Sequence, residues 1–442
     1  MSLDLLAGLV GAAKQAGADA ADAMAVERTA ISIQRRLGKI EQREREEAQE
    51  VGLRVFVGSR TAIVSTTRLD PAGFPALAER AVAMARVLPD DPFAAPPEAT
   101  GPAPDAAPLD LDDPSEPGAE ELIARAATAE EAALAVPGVT NSEGATAGFG
   151  RTRVTLATST GFTGAYARTS HAVSATALAG SGTAMERDYD YATAVHLADL
   201  EDAATIGRRA GEQAVARLNP TRPRTAAMPV VYHPRVAASL LGHLSSAING
   251  AAVARGTTFL REKLGARLFA AGVQVHDDPT RRRGLRSRPF DGEGTPGTPR
   301  AVIADGVLTT WLLDRRSARQ LGLATTGHAG RSPGGQPSPS ATNLWLAPGA
   351  ATPEALMADI AEGFYVTEMI GMGLNPVTGD YSRGAAGFMI RGGALAESVS
   401  GVTIAGNLLS MFASLTPAND LQFRRGTDAP TVRIEGLTVA GA

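Results

Sequence analysis

The 442-residue chain contains no cysteine. Disulfides are therefore impossible, and no thiolate can serve as nucleophile or soft metal ligand. Lysine is almost as scarce: only Lys14, Lys39 and Lys263 occur, none in a recognisable motif, which leaves little room for a Ser-Lys dyad or a Schiff base. Long apolar runs are missing too, with nothing approaching the roughly 18 residues of a membrane span. The apolar start, Met1 to Ala13, has Asp4 where a secretory signal needs Lys or Arg, so the expected compartment is the cytoplasm. A net charge of -5 creates no field that would attract nucleic acid or anionic lipid, and neither is expected as a partner. With 44% hydrophobic and 20% charged residues, the composition is that of a globular protein of two or three domains.

Leu3, Leu6, Leu9 and Ala13 recur at helical spacing up to Gly17. Alternating stretches follow at Ile31 and Ile33, at Val51, Leu53 and Val55, and at Ala62 and Val64, with a hairpin turn at Gly58-Ser59-Arg60. Pro71 and Ala72 open a helix with Leu77, Ala81, Met84 and Val87 on one face. Residues 88–117, dense in Pro, Asp and Ala, read as an exposed connector that buries too little apolar surface to offset its ordering entropy. A helix over 120–135, strands over 151–158, 161–179 and 189–197, and a helix over 203–218 complete the first half. Asn219-Pro-Thr-Arg-Pro223 marks the domain boundary, giving an α+β N-terminal region (1–222, containing the 88–117 connector) and a second region (223–442). The latter opens with a strand, Met228 to Tyr232, and a helix from Val236 to Ile248. Beyond them lie short strands with hairpin signals at Asp305-Gly306 and Gly392-Gly393. Strands without regular intervening helices predict an antiparallel sheet or barrel.

Catalytic patterns are thin. A hydrolytic zinc site typically has two His one helical turn apart beside a Glu. The six histidines, His171, His196, His233, His243, His276 and His328, contain no pair three to five apart, so surface or capping roles are expected. Gly330-Arg-Ser332-Pro-Gly334 matches G-x-S-x-G, but Pro333 lacks the N–H that this elbow contributes to its oxyanion hole, and no helix follows. A mobile loop is the reading there. Asp291 and Glu293, set between glycines in 290–296, could perform acid/base work, bind a cation or cap backbone amides. Arg281-Arg-Arg-Gly-Leu-Arg286-Ser-Arg288 is the one basic cluster; without interleaved aromatics it reads as a solvated loop or partner contact. In 379–388, Asp380, Tyr381 and Arg383 stand among glycines that permit close backbone approach by a strand or an extended peptide. His328 sits in a similar loop.

These segments carry a resemblance. The strings FDGEGTP (290–296), DGVLTTWLLDRRSARQLGL (305–323), TTGHAG (325–330), TEMIGMG (367–373), TGDYSRGAAGF (378–388) and VTIAGNL (402–408), with GLRVFVG (52–58) and NSEG (141–144), resemble the PmbA/TldE branch of the TldD/PmbA family over nearly the whole chain. The resemblance implies an α+β first part, a mainly antiparallel, β-barrel-like C-terminal domain, and a subunit that pairs with a TldD-like sister. Together they would cleave unfolded or modified peptides in an internal cavity; the family's older label is modulator of DNA gyrase. The sister carries an H-E-x-x-x-H zinc motif shortly before an Arg/Gly/Ser-type string. Here Arg255-Gly-Thr-Thr258 resembles that anchor, and counting back puts Leu241 and Ser246 at the His positions and Gly242 at the Glu. None is an adequate ligand or base, and the sister's Cys ligand has no counterpart.

The expectation is thus a metal-free, non-catalytic subunit of a two-chain metallopeptidase, with zinc in the partner. Asp291, Glu293, His328, Asp380, Tyr381 and Arg383 are its candidate peptide-cleft or interface residues. The rivals are an autonomous homodimeric peptidase with an unrecognised site, and a regulatory protein that binds DNA gyrase.

Overall fold

Ser2 caps the first helix, α1 (Leu3–Gln15), by accepting a hydrogen bond from the Leu5 N–H, and Leu6, Leu9, Val10 and Ala13 form its buried stripe. The computed structural model describes residues 2–441. After α1 come β1 (Ala20–Arg36), β2 (Lys39–Val57), β3 (Arg60–Thr66), α2 (Phe74–Val87), α3 (Ala119–Leu134), β4 (Val139–Thr158), β5 (Thr163–Ala179), β6 (Glu186–Ala194) and α4 (Ala203–Ala216). The six strands form one sheet in the order β3-β2-β1-β4-β5-β6, with every neighbouring pair antiparallel.

Period-two alternation assigns the two faces of this sheet. Ala21, Ala23 and Ala25 of β1 lie opposite Val55, Leu53 and Val51 of β2 and pack with α1 and α2. Ile33, farther along the same face, packs with Leu122 and Ala126 of α3. Asp22 and Met24 point to the other face, where Met24 meets Phe290 of the second half. Helices α3 and α4 approach through small residues. A Cβ on Gly207 would stand 1.9 Å from the Ala129 carbonyl oxygen, so only glycine allows this contact.

The second half begins with β7 (Ala226–Tyr232), α5 (Pro234–Ala247) and α6 (Gly250–Arg255). Short strands β8 (Val275–Asp277), β9 (Arg300–Ala304) and β10 (Val307–Leu308) precede α7 (Arg315–Leu321). Then come β11 (Ala329–Gly330), β12 (Ser338–Pro339), β13 (Leu344–Leu346), α8 (Pro353–Met357), β14 (Glu362–Ile370), β15 (Asp380–Arg391), β16 (Ala394–Asn407), α9 (Leu408–Ala413), β17 (Thr416–Pro417), β18 (Thr427–Asp428) and β19 (Val432–Ala440). Strands run β16-β15-β14-β7-β19, and β19 pairs back onto β16, closing a five-stranded barrel. Every barrel pairing is antiparallel except β14 with β7. The α+β class and barrel-like second half predicted from sequence are present. Barrel residues Val230, Tyr232, Phe364, Tyr381, Ile404 and Val439 share one core with Leu240, Leu241 and Leu244 of α5. The small strands form a side sheet, β10-β9-β8-β13-β18. Among the described residues no helix is long and apolar enough to cross a membrane.

Two expectations change. Residues 88–117 lack strands and long helices but are not simply exposed: Ala95, Leu109, Leu111 and Asp113 are buried. Ion pairs hold the segment down, with Asp91 on Arg316 at 2.8 Å, Asp110 on Arg283 at 2.6 Å and Asp112 on Arg151 at 3.0 Å. Charge pairing and backbone bonds order a segment whose apolar content could not. The loop around Ser332, read as mobile, is packed on the first half. Pro333 is buried, and a Cβ on Gly52 of β2 would lie 1.7 Å from its carbonyl oxygen. A two-residue strand precedes Ser332 and another strand follows it, so the strand-to-helix elbow of a serine hydrolase is not formed.

Candidate functional site

The 290–296 turn is built around Asp291. Its Oδ1 accepts from the Glu293 and Thr295 N–H groups, both at 2.9 Å, and its Oδ2 accepts from the Ala329 N–H at 3.0 Å. The Gly292 N–H donates back to the Ala329 carbonyl at 2.8 Å. The glycine-flanked acid therefore caps backbone amides, one of the roles open to it from sequence. It also joins 290–296 to 325–330, two strings that sequence reading kept apart. Burial raises the Asp291 pKa despite Arg288 and the three N–H donors.

Glu293 is oriented the other way, into a buried charge cluster between the two halves. Asp22 of β1 and Arg54 of β2 are directly opposite across the strands. Arg54 Nε donates to Asp22 Oδ2 at 2.8 Å, and its Nη1 donates to Glu293 Oε1 at 3.2 Å. Arg331 approaches Asp22 Oδ1 from the packed loop. Glu293 Oε2 accepts from the Arg315 N–H at 2.9 Å, at the start of α7. All four side chains are almost fully buried. Burial pushes Asp22 upward, but Arg331 and Arg54 outweigh it and hold its carboxyl below the usual range. For Glu293 burial wins: Arg54 pulls down, Asp291 pushes up, and the pKa reaches about 7. A carboxyl that exchanges its proton near neutrality is capable of acid/base work. Glu293 and Arg54 border a cavity of about 460 Å³ that also takes in Arg255, Asp314 and Pro89.

His328 is buried in a structural network. Its Nε2 stands 3.1 Å from Asp277 Oδ1 and its Nδ1 2.8 Å from the Thr326 hydroxyl. Asp277 also accepts from the Thr342 N–H at 2.7 Å, tying the loop to the side sheet.

The third group lies on the barrel. Asp380 is exposed, accepting from the Thr378 hydroxyl at 2.6 Å and Asn407 Nδ2 at 3.1 Å. Tyr381, one residue on, turns into the barrel core, while Arg383 donates to the Gly371 carbonyl at 2.9 Å. His243 of α5 meets Tyr381 edge-to-face at 5.8 Å, and its buried Nε2 has no hydrogen-bond partner among the described residues. Burial, aided by Arg383, lowers the His243 pKa to about 4. Sequence reasoning thus found Tyr381 and Arg383 but missed His243 and Tyr232, whose phenol is raised by burial and by Tyr381. It also missed Asp22, Arg54 and Arg331. For Asp22 and Arg54 a signal existed: each is a single charge inside an otherwise apolar strand segment. The six candidates do not converge, but form a turn with its charge cluster, a buried network and a barrel edge.

The zinc implied by the resemblance can be tested against α5. Leu241 is 2% exposed and belongs to the barrel core. Gly242 has no side chain, and the Ser246 hydroxyl donates to the Gly242 carbonyl at 3.0 Å. Thr258, in the anchor string, donates to the Ala247 carbonyl at 2.7 Å. Among the described residues no three His, Asp or Glu side chains gather as a ligand set. These residues do not fit a hydrolytic zinc, which requires at least three protein donors.

Known proteins share this chain's design. Family models match three successive stretches: PmbA/TldA metallopeptidase domain 1 over 21–85, the central domain over 112–218 and the C-terminal domain over 225–441. The metalloprotease PmbA of Escherichia coli O157:H7 is 35% identical over 425 residues, covering 96% of this chain and 92% of that protein. The metalloprotease PmbA homolog of Haemophilus influenzae is 30% identical over 437 residues, covering 97% of this chain and 94% of that protein. A crystal structure from Bacteroides thetaiotaomicron, described as a modulator of DNA gyrase, superposes with a TM-score of 0.90 at 25% identity, covering 99% of this chain and 98% of that one. TldE from Thermococcus kodakarensis has the same fold, with a TM-score of 0.88 at 19% identity over 99% of this chain and 100% of that one.

Proposed function

Because this chain belongs to the PmbA/TldE family of metallopeptidase proteins, we propose that it is the metal-free, non-catalytic subunit of a two-chain peptidase in the cytoplasm. A TldD-like sister would supply zinc and activate water, and the substrate would be an unfolded or otherwise extended peptide. The observation that carries this reading is α5: the positions that the resemblance equates with the sister's two His hold a core leucine and a serine bonded to its own helix, and the position of its Glu holds a glycine. The 1–222 part and the barrel-containing 223–442 part would together provide cavity wall and subunit interface. Glu293 beside the 460 Å³ cavity and Arg383 at the barrel edge are the candidates for peptide contact. Asp291 and His328 would hold the surrounding loops in place.

The name metalloprotease, borne by the relatives, favours a second reading, an autonomous homodimeric peptidase. The description modulator of DNA gyrase suggests a third, direct binding of gyrase. One set of experiments separates them. The purified chain, a TldD-like chain and their mixture are each incubated with a disordered peptide, and complexes are followed by size-exclusion chromatography. The proposal expects a heteromeric complex, chelator-sensitive hydrolysis by the mixture, and none by this chain alone. Chelator-sensitive cleavage by the single chain would establish the second reading, and capture of purified gyrase in place of the sister would establish the third.

A further inference from the structure

The arginine stretch 281–288 is mostly absorbed by the fold. Arg282 and Arg283 grip Asp110 at 2.7 and 2.6 Å, Arg283 also reaches Asp199 at 2.9 Å, and Arg288 donates to the Ala329 carbonyl at 3.0 Å. Arg281 is different. Its guanidinium lies over the Phe423 ring, 3.2 Å from the centroid, and among the described residues no carboxylate stands within ion-pair distance of it. Burial works against its charge, with only the more distant Asp428 and Asp278 in opposition. Both of those are already engaged: Asp428 accepts from the Arg424, Arg425 and Gly426 N–H groups at 2.9, 2.9 and 3.0 Å, and Asp278 from the Thr280 N–H at 2.7 Å. Stacking occupies the face of a guanidinium and leaves its edge, the planar donor fork, available.

Arg281 borders a cavity of about 420 Å³ that is also lined by the end of β6, at Thr193 and Ala194. Strand β6 is the edge of its sheet. Along that edge the Tyr189 and Tyr191 carbonyls accept from Arg235 and Arg424, each at 3.0 Å. Strand alternation turns the Thr193 N–H and C=O to the same side as those two carbonyls, and Thr193 lines the cavity.

We propose that this cavity binds the carboxylate end of an extended peptide, the carboxylate held by the Arg281 fork and the preceding peptide unit pairing with the edge at Thr193. A planar donor fork matches a carboxylate bidentately, and an open strand edge recognises extended backbone irrespective of sequence. This goes beyond the subunit reading, and binding by the isolated full-length chain tests it whether or not a sister subunit is present.

The test is calorimetric titration of the full chain with N-acetyl-tetraalanine as the free acid, with the same peptide as its C-terminal amide, and with inorganic phosphate. The free acid is expected to bind at least about tenfold more tightly than the amide, the effect of losing one charge-assisted fork. Arg281→Gln should bring the acid down to the amide's affinity while thermal unfolding shows the variant folded. The comparison of acid with amide on the unaltered protein keeps the test decisive even if the variant fails to fold. Equal binding of acid and amide, unchanged acid binding by Arg281→Gln, or no binding of the acid overturns the proposal. Phosphate binding as tightly as the acid and displacing it also overturns it, because the cavity would then serve a free oxyanion.

Discussion

Two carboxylates, two residues apart in one turn, have opposite duties. Asp291 uses its oxygens on three backbone N–H groups, whereas Glu293 faces Arg54 across the boundary between the halves. The glycines flanking both made them visible in the sequence. The charge cluster around Glu293 was not visible, because Arg54 lies 239 positions from Glu293 and Arg331 lies 309 from Asp22. The cluster makes a pH prediction. Glu293 has a pKa of about 7 in the folded chain against an ordinary 4.5, so folding favours its protonated form. That contribution is fully present below about pH 4.5 and is lost as pH rises through 7; it amounts to about 3 kcal/mol. His233 and His243 act in the reverse sense. Burial lowers both from 6.5 to about 4, so their stabilisation is present above 6.5 and lost as pH falls through 4. Comparison with Glu293→Gln isolates the carboxyl. In urea unfolding between about pH 5 and 8, the stability of the unaltered protein minus that of the variant should fall as pH rises to about 7 and level off above it. A flat difference would show that Glu293 keeps its ordinary pKa in the folded chain.

Most elements were legible because their burial is local and periodic. The predicted helix over 120–135 is α3, Ala119–Leu134, and the predicted Asp305-Gly306 turn joins β9 to β10. The outer half of β2 was not read as strand. Residues Lys39 to Gln49 are exposed throughout, so no apolar alternation marks them, and their conformation is set by pairing with β1 instead. The 88–117 connector was misjudged for a related reason: composition reports apolar burial and is blind to distant ion pairs. Helix α7 supplies part of that restraint, with Arg315 on Glu98, Arg316 on Asp91 and Arg319 on the Ala94 carbonyl. Arg316→Ala should therefore increase hydrogen exchange in residues 88–98. Global stability should change by less than about 1 kcal/mol, as for an exposed pair. Unchanged exchange there would mean that the arginines merely decorate a segment ordered by other contacts.

At the scale of the molecule, sequence reading reached a β-rich second half but could not see how its strands meet. β7 lies between β14 and β19 in the barrel, partners more than a hundred residues downstream, and its parallel pairing with β14 has no local mark. The barrel is nevertheless what fixes the chemistry of α5. Leu241 is packed into the barrel core, at a position that the resemblance equates with a zinc ligand of the sister, and on this the proposed metal-free role rests. The most direct measurement is metal content. The chain alone is equilibrated with a small excess of zinc, freed of unbound ion by gel filtration, and analysed by plasma mass spectrometry. The account predicts zinc far below one atom per chain; one zinc retained per chain through filtration would contradict it.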